Sequence, residues 1–179
     1  MDSRTFKEFA KNQILMTTIR INDQLYPVMP TKFPPICCVT FDDEGLAIHE
    51  LNLLTNKEKD PVLEFLPYSA IEMIELNPVK KITAIMSITV KRFHLDLRVK
   101  LFFQSDFLLH FECEDLTVLE ALSKVLTTHG VEVKDSFGMI QVFERANSNR
   151  EACDYLDKNL DRMAEERKVD IFRMRQIEE

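Results

Sequence analysis

Three runs of alternating apolar and polar residues, followed at once by a capped helix, place the strongest constraint on this chain, and all lie between Ile82 and Gly130. Ile82, Ala84, Met86, Ile88 and Val90 are apolar at every second residue, with Thr83, Ser87, Thr89 and Lys91 between them. Leu95, Leu97, Val99, Leu101 and Phe103 repeat the pattern around Asp96, Arg98 and Lys100. Phe107, Leu109, Phe111 and Cys113 repeat it again after Gln104-Ser105-Asp106. Side chains alternate faces along a strand, so each run has one buried and one wetter face. A helix over about 116–129 follows. Asp115, or Thr117 with Glu120, can start it, Leu116, Leu119, Leu122 and Leu126 form one stripe, and Gly130 is its stop.

Upstream, strands are expected at 36–41, 46–53, 62–66 and 71–76, which makes seven in all. Asp42-Asp43-Glu44-Gly45 is the first turn, with Gly45 suited to a positive φ. Pro67-Tyr68-Ser69-Ala70 is a bend or a single helical turn, and Asn77-Pro78 ends the fourth strand. Residues 1–35 form an extension: a short helix over 5–12 begun by Thr5 and Glu8, a strand over 14–21, and an irregular, Pro-rich connection. Residues 131–143 read as a hairpin turning at Ser136-Phe137-Gly138. Ser148 and Glu151 form a capping box for a helix over 149–174, with Ala152, Leu156, Leu160 and Met163 on one stripe. The boundaries are therefore 1–35, a domain over 36–130, and 131–179 packed on that domain.

Composition removes several function classes. Three glycines in 179 residues exclude the closely spaced glycines of phosphate-cradling loops. A net charge of −7 argues against nucleic acid as a partner. Cys37, Cys38, Cys113 and Cys153 match no zinc spacing and read as buried thiols of a reducing cytosol. The first residues lack the order of a secretory signal, and no apolar run reaches the ~18–20 residues of a membrane span. The expected location is cytoplasmic.

Seven strands, mostly meandering, then one amphipathic helix, resemble the pleckstrin-homology (PH-like) superfold in its bacterial or GRAM-like form. Phe65-Leu66-Pro67-Tyr68-Ser69-Ala70-Ile71 is similar to a phrase common in such domains, and the resemblance spans about residues 36–130. It implies an α+β fold: a seven-stranded antiparallel barrel or sandwich capped by a helix, here with an added hairpin and a long C-terminal helix. It also implies a binding module with no cofactor rather than an enzyme. Two features depart from it. The first turn is acidic where phosphoinositide binders are basic, and the chain has no tryptophan.

One basic patch stands out. Lys80, Lys81, Lys91, Arg92, Arg98 and Lys100 face Asp96 alone within residues 80–100. Such a face can bind an anionic peptide, a phosphate or an acidic lipid surface, or it can simply solvate a sheet or pair with the acidic C-terminal helix. The distal helix offers a second surface, with Val169, Ile171, Phe172 and Met174 as candidate contacts to a protein partner or a second copy. His49, His94, His110 and His129 suggest no metal site. Cys38 with a distant histidine is the one imaginable nucleophile pair, but it lies in a strand pattern where a thiol behaves as a small hydrophobe. The leading expectation is a non-catalytic interaction module that binds a protein or itself. The alternative is peripheral binding to an anionic membrane or a phosphorylated ligand through the basic face.

Overall fold

A computed structural model describes residues 7, 10, 14–21, 24–27, 37–55, 57–85, 88–102, 109–113 and 115–169. The elements are β1 (Ile14–Ile21), β2 (Gln24–Pro27), β3 (Cys37–Phe41), β4 (Gly45–Asn52), β5 (Lys57–Glu58), β6 (Glu64–Pro67), β7 (Ile71–Ile85), β8 (Ile88–Leu101), β9 (Leu109–Cys113), α1 (Leu119–Thr128), β10 (Glu132–Lys134), α2 (Met139–Arg145) and α3 (Asn149–Arg167). The fold is mixed α+β. Strands follow the order β10-β7-β8-β9-β1-β3-β4-β5, with β2 on β1 and β6 on β4.

The expected barrel does not close. Among the described residues β6 pairs with β4, while β7 pairs with β8 and β10. The 3-10 turn Tyr68–Ala70 separates β6 from β7 and sends them to opposite ends of the order. The end of α1 occupies this corner: the Tyr68 ring stacks on His129 at 4.2 Å between centroids. The Tyr68 hydroxyl donates to the Asp42 carbonyl at 3.1 Å, which ties the corner to the β3–β4 turn.

The three long runs are paired differently from their sequence pattern. β7 and β8 are one hairpin whose register runs from Ile71↔Leu101, with a shift before Met73↔Lys100, to Ile85↔Ile88. Asn77-Pro78 does not end a strand, because Pro78 pairs with Leu95 inside the ladder. Proline lacks an N–H and is tolerated where one strand edge is unpaired. β10 lines only Met73–Glu75, in parallel, so at Pro78 that edge of β7 has no partner among the described residues. The Gln104-Ser105-Asp106 turn lies outside the described residues. So does most of the N-terminal helix, of which Lys7 and Ala10 are helical and Ala10 is buried in the core.

Gly45 serves a purpose other than the expected one. Positive φ occurs at Gly130 and Gly138, and Gly45 is absent from that set. Gly45 pairs with Pro67, and a Cβ there would lie 2.2 Å from the Leu66 carbonyl oxygen. Hydrogen in place of a side chain lets β4 approach β6.

Asp115, rather than Thr117, starts the helix. Its carboxylate accepts from the Thr117 N–H at 3.0 Å and the Thr117 hydroxyl at 2.7 Å, over the 3-10 turn Leu116–Val118 that leads into α1. The hairpin expected over 131–143 is half right: β10 forms, but α2 replaces the return strand. Gly138 is left-handed (φ 68°), and the Asp135 carboxylate accepts from the Met139 and Ile140 N–H groups at 2.7 and 2.9 Å. An aspartate satisfying two orphan helix donors starts a helix. Ser148 caps α3 as expected, accepting from the Glu151 N–H at 3.2 Å. α3 stops at Arg167 instead of about 174. Lys168 takes a left-handed conformation (φ 55°), and the Val169 N–H turns back to the Ala164 carbonyl at 3.0 Å.

One apolar core joins the sheet to the three helices after β9. Ile48, Leu76, Leu97 and Phe111 from the sheet, Leu122 and Leu126 from α1, Phe137 and Met139, and Leu156 and Leu160 from α3 belong to the same cluster. Each fully buried side chain of this size contributes about 1.5–3 kcal/mol.

Candidate functional site

Three of the six cations of the basic patch have acid partners that its own sequence window leaves out. Lys100 Nζ lies 3.1 Å from Glu72, and Arg98 lies 3.9 Å from Glu75. Glu75 also meets Lys134 of β10 at 3.0 Å. Lys80 sits on the other face of β7, 5.7 Å over the Phe93 ring, and pairs with Asp157 of α3 at 2.7 Å. Arg98 and Lys100 therefore share a face with acid partners, and Lys80 is not on it. The side chains of Lys81, Lys91 and Arg92 lie outside the described residues. The Lys80–Asp157 pair is partly exposed and is worth roughly 0.2–1 kcal/mol. The buried stripe of Leu156 and Leu160 is therefore the larger force docking α3.

Val169, the first of the expected partner contacts, is half-buried and packs against the chain's own core. Ile171, Phe172 and Met174 lie outside the described residues.

Strand pairing sets Cys38 opposite His49, so the histidine near this thiol is a cross-strand neighbour. His49 Nδ1 is 3.1 Å from the Lys59 carbonyl, and its Nε2 is 3.3 Å from the Thr40 hydroxyl. The carbonyl accepts only from a protonated Nδ1, so both ring nitrogens have structural partners. Cys38 is fully buried. Burial first, and then the charge of Glu58, push its thiol up to about 11. Burial and the neighbouring Cys38 push Cys37 up to about 12. The thiolate is the nucleophile, so this pair is not set for attack.

The raised thiols carry a pH dependence. Unfolded thiols titrate near 9, so above that pH the unfolded chain binds fewer protons than the folded one. Stability from this source is complete below about pH 9 and falls as pH rises toward about 11. The urea midpoint should drop across that window, and the drop should shrink in Cys37→Ala and Cys38→Ala. An equal drop in both variants would assign the alkaline loss to other groups.

A cleft between α2 and α3 is the site that the sequence reading missed. Its volume is about 280 Å³, and Gly138, Arg145, Tyr155, Arg162, Met163 and Arg167 contribute to its wall. Met163 is buried, whereas Tyr155 is exposed. Arg162 is engaged: it donates to Asn159 Oδ1 at 2.8 Å and lies 3.8 Å from Glu166. Glu151, also on the wall, accepts from the Asn147 backbone and side chain at 2.9 and 3.2 Å. The arginines were legible only as part of an evenly charged helix. Their convergence depends on α2, which the sequence pattern concealed.

Among the described residues no group of three or more His, Cys, Asp or Glu side chains could hold a metal ion, and no helix is long and apolar enough to cross a membrane. Comparison with protein-family models, curated proteins and solved structures finds no match to this chain.

Proposed function

We propose that this chain is a non-catalytic interaction module of PH-like architecture that associates with a second copy of itself along its terminal sheet edge. One observation carries the reading: exposed apolar residues line the β4–β5–β6 edge. Leu54 is 98% exposed and Leu53 59%, and Val62 and Phe65 are also exposed. The Asn52 side-chain oxygen accepts from the Leu54 and Thr55 N–H groups at 3.0 and 3.3 Å, so a local turn holds Leu54 out in water. Among the described residues β6 pairs only with β4, and an unpaired edge is a template for another strand.

A second copy suits this edge because a two-fold interface is self-complementary. Exposed Lys57 lies at one end of it, opposite Asn52, and exposed Glu64 lies midway along it, opposite Ile48. An antiparallel copy sets opposite charges together. The PH-like part of the reading is supported by the meander order, with β1 beside β9 and a helix following β9. A cytoplasmic setting is supported by four free cysteines.

Size-exclusion chromatography with light scattering, from low micromolar to near-millimolar protein, tests the association. A dimer should appear with rising concentration and be lost in Leu54→Asp and Val62→Asp. A monomer throughout, or a dimer that persists in both variants, overturns the reading.

A further inference from the structure

We infer that the α2–α3 cleft is a binding site for a small organic phosphate, held by Arg145 and Arg167. Both guanidinium-bearing residues are exposed at the cleft wall. Among the described residues neither has an acid within ion-pair distance. The two glutamates of the wall are engaged elsewhere: Glu151 accepts from Asn147, and Glu166 lies beside Arg162. Arg145 and Arg167 therefore face one concavity without a carboxylate partner, and the three arginines and two glutamates of the wall leave it a net charge of +1. A phosphate monoester carries about −1.5 to −2 near neutral pH and three acceptor oxygens, enough to engage both guanidinium groups at once, whereas a carboxylate has one charge and two oxygens. Guanidinium forks also fit phosphate oxygens in paired hydrogen bonds.

The backbone makes room for this arrangement. A Cβ on Gly138 would stand 2.6–2.9 Å from the Arg167 guanidinium atoms, so the bare Cα is what lets that group lie across the start of α2. Each arginine is in the last turn of its helix. The short connection across Ser148 brings the two helices together. The remaining wall is suited to an organic body, with the Tyr155 ring, Val142 and Met163. The volume of about 280 Å³ lies at the small end of ligand clefts, which run roughly 300–1,000 Å³, and limits the occupant to the size of a phosphorylated ring. This site is separate from the sheet edge and does not depend on self-association.

Isothermal titration of the full chain with phenyl phosphate, phenylacetate and inorganic phosphate tests the assignment. Phenyl phosphate should bind saturably and more tightly than either of the others. Arg145→Gln and Arg167→Gln should each weaken it by roughly tenfold or more, the effect of one charged hydrogen bond. Lys124→Gln, an exposed lysine on α1 outside the cleft, should leave it unchanged. Both arginines are exposed, and a native circular dichroism spectrum of each variant confirms that the fold is kept. Absence of saturable binding overturns the proposal, as does equal loss in Lys124→Gln or full binding in both arginine variants. Phenylacetate binding as tightly as phenyl phosphate overturns the choice of phosphate.

Discussion

Gly45→Ala is expected to destabilise the protein by about 3 kcal/mol, the upper part of the usual range for overpacking. The new methyl carbon would stand 2.2 Å from the Leu66 carbonyl oxygen, 2.8 Å from Pro67 Cα and 2.9 Å from the Leu66 carbonyl carbon. All three atoms are backbone, so no rotamer change relieves the contact. β6 must move from β4, and four register pairs, Gly45↔Pro67 to Ile48↔Glu64, are at risk. Leu66 and Tyr68, both buried, follow that backbone. Gly130→Ala is the control. Gly130 has φ 79° but nothing within 4 Å of its missing Cβ, so it carries only the left-handed strain of about 1–2 kcal/mol. Urea denaturation of the two variants separates steric contact from backbone strain. A Gly45→Ala midpoint equal to that of Gly130→Ala would show that β4 and β6 are not this close.

Phe137→Ala is the second large effect, expected to cost about 3–5 kcal/mol. Phe137 is 1% exposed and belongs to the core shared by the sheet and all three α-helices. It precedes Gly138, so its ring anchors the segment from which α2 departs. Domain stabilities run about 5–15 kcal/mol, so the loss is a large share of the whole. Because one core holds both the sheet and residues 131–169, unfolding should remain a single transition at a lower midpoint. Far-UV dichroism and tyrosine fluorescence should follow the same curve. A separate early transition for the C-terminal helices, or a cost below 1 kcal/mol, would show that this segment is an appendage.

Elements with a local chemical signal were legible in the sequence. The Ser148 cap, the Asp115 start and the stripe through Leu119, Leu122 and Leu126 each depend on residues within one or two turns of one another. Alternation located the longer strands, because burial of one face is a property of each strand alone, but not β2, which lies in the stretch expected as an irregular Pro-rich connection, nor the two-residue β5. It did not give their partners. Ile82–Lys91 keeps a period of two except at Ile85, yet it folds back on itself with Ile82 opposite Lys91. The one break in the pattern, Ile85, stands at the reversal, but a single apolar residue in the polar register does not specify a turn. Pro78 is a strand-breaking signal whose meaning depends on whether its open edge has a neighbour, which is a fact about β10, over fifty residues away. Over 131–143 the turn signal Ser136-Phe137-Gly138 suggests a return strand, but the Asp135 side chain, accepting from two N–H groups beyond that turn, starts a helix.

The candidate sites divide along the same line. Six cations in a window of the chain look like a binding face until Glu72 and Glu75, from the facing strand, and Asp157, from α3, are placed beside three of them. The arginines of the α2–α3 cleft sit in a segment whose charges balance, so nothing in the sequence singles them out. By itself, the sequence determined an α+β chain with many strands, a capped amphipathic helix after the last long strand, and a second charged helix with one apolar stripe. These follow from hydrogen bonds and burial patterns that neighbouring residues complete among themselves. Only the tertiary structure decided that the barrel stays open at Tyr68, that Lys80, Arg98 and Lys100 have acidic partners, and that Arg145 and Arg167 line one cleft. Each depends on groups far apart in the chain, where charge and shape are set by what packing brings within a few ångströms.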